Sequence, residues 1–229
     1  MLTARRLNTY VCVLSLLLVI LVQQVVAWGW LSDLDESAGN TAKKLRASQD
    51  IFSVTVMFGL RGIILTVCLP VLGWLSWKRK SWVPIAGFGL VLLFETGIAG
   101  ALKIAIGRIF PYQFDDFFYS MLVNVDEKAF PSGHAANSVA LWGYMAWYFT
   151  CAGTIARRIA VSAVVVASCT VVVSSWLIRT HWPTDLIAGC IIGCIALLGV
   201  IGLYTALGLN PEARIHHSPK VHPETADAQ

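Results

Sequence analysis

Three short stretches of this chain hold side chains whose types and spacing could bind and transfer an anionic group. The stretch FPSGH ends at His134, and its Ser132 and Gly133 stand directly before a long apolar run. Serine is a preferred residue at the N-cap of a helix, and glycine lets a ligand approach the backbone closely. The free N–H groups at the start of a helix favour a phosphate-like anion. This stretch therefore predicts an anion-binding helix N-terminus with a histidine beside it.

The second stretch, SSWLIRTHWPTD, carries a histidine and a carboxylate four residues apart, His181 and Asp185. Pro183 suits the first turn of the helix that follows. We expect the Asp185 carboxylate to reach a ring nitrogen of His181 and to hold the imidazole in one tautomer. An imidazole held in this way can act as a nucleophile or as a general base. The third stretch, KIAIGRIFPYQF, begins at Lys103 and adds basic side chains.

Membrane-spanning helices are the elements that must position these stretches. Of the 229 residues, 57% are hydrophobic and only 13% are charged, with a mean hydropathy of +0.69, whereas a soluble domain has about 25% charged residues. A spanning helix needs about 20 apolar residues. Such runs occur near residues 9–28, 54–77, 82–102, 135–150, 159–178 and 186–209. The sequence therefore predicts an all-α, polytopic membrane bundle of about six transmembrane helices.

Residues 1–210 are predicted to form one six-span domain whose first span is retained rather than cleaved. Residues 211–229 are polar and contain proline, which is typical of a disordered tail. Basic residues favour cytoplasmic loops, so we predict that both termini are cytoplasmic. The loops near 29–50, 103–134 and 179–185, which hold the candidate side chains of the three stretches described above, are then predicted to face the outer side. The basic residues predicted on the inner side are Arg5, Arg6, Lys78, Arg79, Lys80, Arg157, Arg158, Arg214 and Lys220. The net charge of +4 follows from this topology and indicates no nucleic-acid partner.

Two charged residues fall inside predicted spans, Arg61 in the second and Glu95 in the third. A charge inside the membrane costs about 2.5–3.5 kcal/mol on insertion scales. Both side chains are therefore expected to face the interior of the bundle and to pair with each other.

The three stretches, in this order, resemble the type 2 phosphatidic acid phosphatase superfamily, which includes bacterial lipid phosphatases and vanadium haloperoxidases. The resemblance covers Lys103 to Asp185, and PSGH together with HWPTDLIAG is a specific combination. It implies that His181 is a nucleophile that forms a phosphohistidine, that Asp185 orients it, and that His134 protonates the leaving group. The phosphate cradle it implies consists of Lys103, Ser132 and Gly133. For the lipid phosphatase branch it implies no metal and no other cofactor.

Two positions depart from the signature of that superfamily. The arginine expected before proline is Phe110, and the arginine expected six residues before the histidine is Ser175. Losing one preorganised donor typically lowers a rate by about 10²–10³. Arg108 and Arg179 are the candidate replacements in the substrate-binding set. If the fifth helix continues through Arg179, this residue and Ser175 lie one turn apart on the same face.

Three functions follow from these residues. The leading one is an integral membrane phosphatase that acts on a polyprenyl, phosphatidyl or glycolipid phosphate or pyrophosphate, with the lipid bilayer as its surroundings. The second is a lipid phosphotransferase that uses the same histidine. The third is a non-catalytic, lipid-binding member of the superfamily, which the residues at positions 110 and 175 favour and the intact histidines oppose.

Overall fold

The computed structural model describes residues 3–45, 49–114 and 128–211, and within these ranges the chain forms nine α-helices and no strand. The all-α prediction is thereby confirmed. The predicted tail beyond residue 211 lies outside the described residues. The helices are α1 (Ala4–Val26), α2 (Trp30–Leu45), α3 (Gln49–Val56), α4 (Arg61–Arg79), α5 (Val83–Ile106), α6 (Pro111–Phe114), α7 (Gly133–Phe149), α8 (Ile155–Leu177) and α9 (Pro183–Ala206).

Among the described residues, four helices are long and apolar enough to cross a membrane: α1, α5, α8 and α9. A fifth crossing results if α4 and the segment before it, which meet at 46°, form one bent span. Helix α7 has 17 residues, or about 25 Å at 1.5 Å per residue, the short end of the range for a span. The protein is therefore a multi-pass membrane protein, and the number of six spans stays a prediction.

Helix α7 lies at the centre of the bundle. Helix α9 packs along α7 and α1, and α7 also contacts α8 and α5. Small residues allow α9 and α7 to pack closely: a Cβ built on Gly193 of α9 would lie only 2.7 Å from the carbonyl oxygen of Ala136 on α7. Helices in membranes associate through such residues because their backbones can then come close. Buried aromatic side chains, including Phe88 and Tyr144, fill the bundle behind the first turns of α7.

The second predicted span is broken rather than continuous. Helix α3 is followed by a 3₁₀ turn over Met57–Gly59, and Leu60 is extended (φ −73°, ψ 119°) before α4 begins at Arg61. The Arg61 guanidinium donates to the Glu95 carboxylate at 3.4 Å, and the Glu95 side chain is fully buried. The predicted pairing of these two charges is therefore confirmed. The break places the arginine at the start of a helix instead of in its middle.

Helix α2 forms where the sequence analysis expected a loop. Its buried residues recur every three to four positions, which places them on one helix face. That face carries small and polar side chains, so a search for long apolar runs does not find it. Its members are Ser32, Asp35, Gly39 and Ala42.

Candidate active site

The FPSGH stretch forms the entrance to α7, as predicted. Ser132 is fully buried and extended, and its hydroxyl accepts a hydrogen bond from the Ala135 N–H at 3.4 Å. The first N–H groups of a helix have no partner inside that helix. Apart from its chain neighbours and its own helix, a Cβ built on Gly133 would meet no atom of the described residues within 4 Å, so these residues leave open space beside the N–H groups. The N-terminus of α7 can therefore receive an anion without displacing a side chain.

The start of α9 holds this entrance in place. The Ser132 N–H donates to the Asp185 carbonyl oxygen at 3.0 Å. One turn further along α9, a Cβ on Gly189 would lie only 2.4 Å from the Ser132 carbonyl oxygen. On the other side of α7, a Cβ on Gly59 would lie 2.6 Å from the His134 carbonyl oxygen. The two motifs that are far apart in sequence are thus in direct contact.

His181 lies just before α9 and is only 6% exposed. Its Nδ1 lies 3.6 Å from Asp185 Oδ2, within ion-pair range but longer than a hydrogen bond. The same Oδ2 accepts the Trp182 N–H at 3.0 Å, which caps the first turn of α9. The ring of Phe110 meets the His181 ring edge to face, with centroids 5.5 Å apart. The residue that replaces the first signature arginine therefore packs on the candidate nucleophile.

His134 and Lys103 complete the cluster. His134 is half-buried on the first turn of α7, close enough to His181 and Lys103 for their charges to act on it. Lys103 also lies within range of the Asp185 charge, and its ammonium donates to the Lys128 carbonyl oxygen at 2.5 Å. Helix α5 continues past the predicted end at residue 102, so Lys103 is held by a regular helix. Both imidazoles and this ammonium converge at one end of the bundle.

The fifth span does not continue through Arg179, so the condition for the one-turn spacing to Ser175 is not met. Helix α8 ends at Leu177, and Arg179 adopts a left-handed conformation (φ 62°). Its N–H donates to the Trp176 carbonyl and the Thr180 N–H to the Ser175 carbonyl, both at 3.0 Å. This is a Schellman C-cap, in which glycine usually occupies the left-handed position. The one-turn spacing on a common face therefore does not exist.

The end of α8 nevertheless directs the Arg179 side chain toward the site. Its guanidinium donates to the Pro111 carbonyl oxygen at 2.8 Å, next to the phenyl ring that covers His181. The Ser175 side chain is fully buried, and its hydroxyl has no hydrogen-bond partner within the described part of the chain. Arg179, rather than Ser175, is therefore the polar group that α8 brings to this rim.

Arg108 reaches the same end of the bundle, with its guanidinium engaged by two carboxylates. Nη1 donates to Asp185 Oδ1 at 2.7 Å, and Nη2 donates to Asp35 Oδ2 at 2.8 Å. Asp35 belongs to α2, and the sequence analysis assigned it no role. The signal in the sequence was the helical spacing of Asp35 with the small residues that share its face of α2. The predicted contact between Arg108 and a phosphate remains a prediction.

Comparisons with known proteins agree with the helical membrane fold. The sequence profile described as PAP2 superfamily matches residues 84–208, a range that holds all three stretches. Among curated proteins, none matches the chain significantly. A solved crystal structure, that of a transmembrane PAP2 type phosphatidylglycerolphosphate phosphatase from Bacillus subtilis, is 20% identical and superposes with a TM-score of 0.72. That likeness covers 86% of this chain and 96% of the other. Because the profile spans more than half of the sequence and includes the whole cluster, this chain belongs to the PAP2 superfamily.

Proposed function

We propose that this protein is an integral membrane phosphatase that hydrolyses a lipid phosphate or pyrophosphate through a phosphohistidine. The carrying observation is that the N-terminus of α7, His134 and His181 meet at one end of the bundle. The hydrogen bond from Ser132 to the first residues of α9 holds them together. A positive helix end beside two imidazoles suits phosphoryl transfer, where catalysis rests on positioning and charge stabilisation. The phosphatase named in the similar solved structure supports the same reaction class.

In the first step, His181 attacks the phosphorus atom of the substrate. Its Nδ1 faces Asp185 at 3.6 Å, which leaves Nε2 as the attacking atom. The Nδ1 proton then points to the carboxylate, which stabilises the positive charge that grows on the ring. As the bond from Nε2 to phosphorus forms, the bond from phosphorus to the lipid oxygen breaks. His134 donates its proton to that oxygen, and the alcohol or lipid monophosphate leaves.

In the second step, water replaces the lipid oxygen. His134, now neutral, takes a proton from the water as its oxygen bonds to phosphorus. The bond from phosphorus to His181 breaks, inorganic phosphate leaves, and both histidines return to their starting states. Lys103, Arg179 and the amides of Gly133 and His134 stabilise the charge on the transferring group in both steps. Each such donor typically contributes about 10²–10³ to a rate.

Apolar side chains surround the site and favour a substrate with a lipid tail. Ile104, which follows Lys103, is 75% exposed, and Tyr112, four residues after Arg108, is 44% exposed. In a membrane these side chains contact lipid, so a phosphate can enter the rim while its tail stays in the bilayer. The basic clusters near Arg79 and Arg157 lie at the helix ends that are far from the site, the end of α4 and the start of α8. The positive-inside rule therefore favours a site on the extracytoplasmic face.

Phosphate release from defined lipids tests the proposal. Purified full-length protein would be given dioleoyl phosphatidic acid, farnesyl phosphate, farnesyl diphosphate and a phosphorylated glycolipid. We expect release from at least one of them, and a loss of about 10³-fold or more in His181→Ala. His222→Ala makes the same chemical change outside the three stretches and should keep full activity. Equal release by wild type and His181→Ala would refute the mechanism.

Trapping with radiolabelled substrate separates the other two functions. A phosphohistidine that forms without release of inorganic phosphate would indicate a phosphotransferase. Lipid binding with neither phosphohistidine nor phosphate release would indicate a non-catalytic protein. Reporter fusions at the C-terminus test the orientation, because a cytoplasmic terminus places the active end of the bundle outside.

A further inference from the structure

Helix α2 lies against the active end of the bundle, although it is outside the range that matches the superfamily profile. The contact is close because the facing residues are small: a Cβ on Gly39 would lie 3.0 Å from the Trp182 ring. The Trp176 indole N–H donates to the Ala38 carbonyl oxygen at 3.1 Å. Helix α2 therefore packs on the end of α8 and the start of α9, and its buried face is directed at the site.

Asp35 is the charged residue on that buried face, and its side chain is only 2% exposed. Its Oδ1 accepts the Thr184 N–H at 3.0 Å. Its Oδ2 accepts the Thr184 hydroxyl and the Arg108 guanidinium, the latter at 2.8 Å. Burial raises the pKa of the Asp35 carboxyl, and the hydrogen bonds and charge of these partners oppose that rise. The ionised form of Asp35 is therefore favoured by Thr184 and Arg108 together.

Arg108 connects Asp35 to the active site, because its guanidinium binds both Asp35 and Asp185. While Nη2 binds Asp35, Nη1 donates to Asp185 Oδ1 and to the Thr184 hydroxyl, both at 2.7 Å. The guanidinium carbon lies 5.2 Å from the centre of the Trp182 ring, which limits its movement on that side. A planar guanidinium held by two carboxylates has one orientation. Its Nη1 is therefore fixed relative to α9.

The Asp185 carboxylate is in turn held at both oxygens. Oδ1 accepts from Arg108, and Oδ2 accepts the Trp182 N–H at 3.0 Å. This leaves Oδ2 facing His181 Nδ1 at 3.6 Å. Rotation of the carboxylate away from the imidazole would break both hydrogen bonds. Two carboxylates around one guanidinium also leave a net negative charge for the imidazole when both are ionised.

We infer that Asp35 is a positioning residue for the His181–Asp185 pair and acts through Arg108. The inference rests on the proposed function, since it concerns how that nucleophile is oriented. It also gives Arg108 a task other than contacting phosphate, because both amino groups of its guanidinium are already bound to carboxylates. Part of the catalytic geometry then comes from an amphipathic helix outside the spans.

The test compares two substitutions on the same helix in full-length protein. Asp35→Asn keeps the size of the side chain and removes its charge, so the amide cannot accept from Arg108 and Thr184 as the carboxylate does. Asp33→Asn makes the same change at an exposed position of α2. With the best lipid phosphate of the panel, we expect Asp35→Asn to lower kcat by about 10–100-fold, as loss of an orienting partner does. KM should stay within about 2-fold, and Asp33→Asn should match wild type.

A second pair of measurements separates positioning from support of the fold. If Asp35 acts through Asp185, Asp35→Asn should cause no further loss in an Asp185→Asn background, because contributions of residues that work as a unit do not multiply. A purely structural role would lower the yield or Tm and leave kcat per folded molecule unchanged. Should Asp35→Asn fail to fold, Arg108→Lys keeps the charge, cannot bridge both carboxylates and should show the same loss of kcat.

Three outcomes would overturn the inference. One is a kcat of Asp35→Asn equal to that of Asp33→Asn. The second is a loss that multiplies fully with that of Asp185→Asn. The third is full kcat in Arg108→Lys. A wild-type protein that releases no phosphate from any lipid, like His181→Ala, would refute the proposed function and this inference together. An active wild type with an unaffected Asp35→Asn would refute the inference alone.

Discussion

Arg179 allows stability and catalysis to be separated by two substitutions at one position. The residue is left-handed (φ 62°) directly after the C-cap of α8, and its guanidinium donates to the Pro111 carbonyl oxygen at 2.8 Å. Arg179→Ala removes the side chain but keeps a Cβ in the left-handed region. Arg179→Gly removes the side chain and the Cβ together. Both variants lose the donor that we assign to the transferring phosphoryl group.

The two variants should differ in stability. A left-handed residue with a Cβ costs about 1–2 kcal/mol, and a net hydrogen bond contributes about 0.5–1.5 kcal/mol. Arg179→Ala loses the hydrogen bond and keeps the strain, so its free energy of unfolding should fall by about 1 kcal/mol. Arg179→Gly loses the same hydrogen bond and relieves the strain, partly offset by the larger entropy of glycine in the unfolded chain. Its stability should therefore lie near that of wild type.

The two variants should not differ in catalysis. Each lacks one donor to the phosphoryl group, so both should show kcat/KM lowered by about 10²–10³. Thermal unfolding in detergent should give a Tm about 2–4 °C higher for Arg179→Gly than for Arg179→Ala. Phosphate release, normalised to folded protein, gives the rates.

Two results would contradict this reasoning in different ways. Full turnover by Arg179→Gly, with a loss only in Arg179→Ala, would show that position 179 affects the rate through backbone conformation alone. Equal stability of the two variants would show that the left-handed arginine is not strained. Arg179→Lys is the matched control for charge: it keeps the strain and one cation, so it should retain part of the activity.

Three further predictions concern other parts of the molecule. Gly133→Ala should leave Tm unchanged or slightly higher, because its Cβ meets no atom of another helix among the described residues. It should lower phosphate release by at least about 10-fold, because the methyl group occupies the space of the anion. Unchanged kinetics would place the phosphate elsewhere. Gly189→Ala should destabilise the fold by about 1–3 kcal/mol through overpacking against α7 and should also slow turnover. Gly199→Ala on the same helix should be neutral, because a Cβ there meets no atom of another helix among the described residues. Equal thermal unfolding of the two variants would show that the close packing of α7 on α9 at Gly189 is not needed for stability. Arg61→Leu should lower the free energy of unfolding by about 3–5 kcal/mol, because it leaves Glu95 buried and unpaired. The double variant with Glu95→Leu should recover most of that loss in thermal unfolding. An Arg61→Leu variant as stable as wild type would mean that the Glu95 carboxyl is neutral.

Sequence reasoning found the groups that lie near one another because they sit at helix ends. Ser132 caps α7 and Pro183 begins α9, and both preferences come from the backbone itself. The pairing of Arg61 with Glu95 was predictable because an unpaired charge in the membrane is too costly. In each case a backbone preference at a helix end, or the large cost of an unpaired charge in the membrane, leaves few alternative arrangements.

Sequence reasoning failed where the outcome depends on packing between segments. Arg179 is left-handed just beyond α8, a conformation that no local preference favours, so the one-turn spacing to Ser175 that a continued helix would give is absent. Helix α2 was missed because its buried face consists of small and polar residues, and only the neighbouring helices give that face a partner. Asp35 was missed for the same reason, since a carboxylate on a short polar segment is ordinarily a solvated residue.

The sequence by itself determined the membrane class, the helical fold and the two histidines that stand at helix starts, because apolar runs and helix-start signals are patterns of consecutive residues. The tertiary structure alone decided which cation meets which anion. Arg108 lies two residues from the position of the lost arginine and binds Asp35 and Asp185. That choice depends on distances between two helices and the connection that follows α5, which spacing along the sequence does not contain.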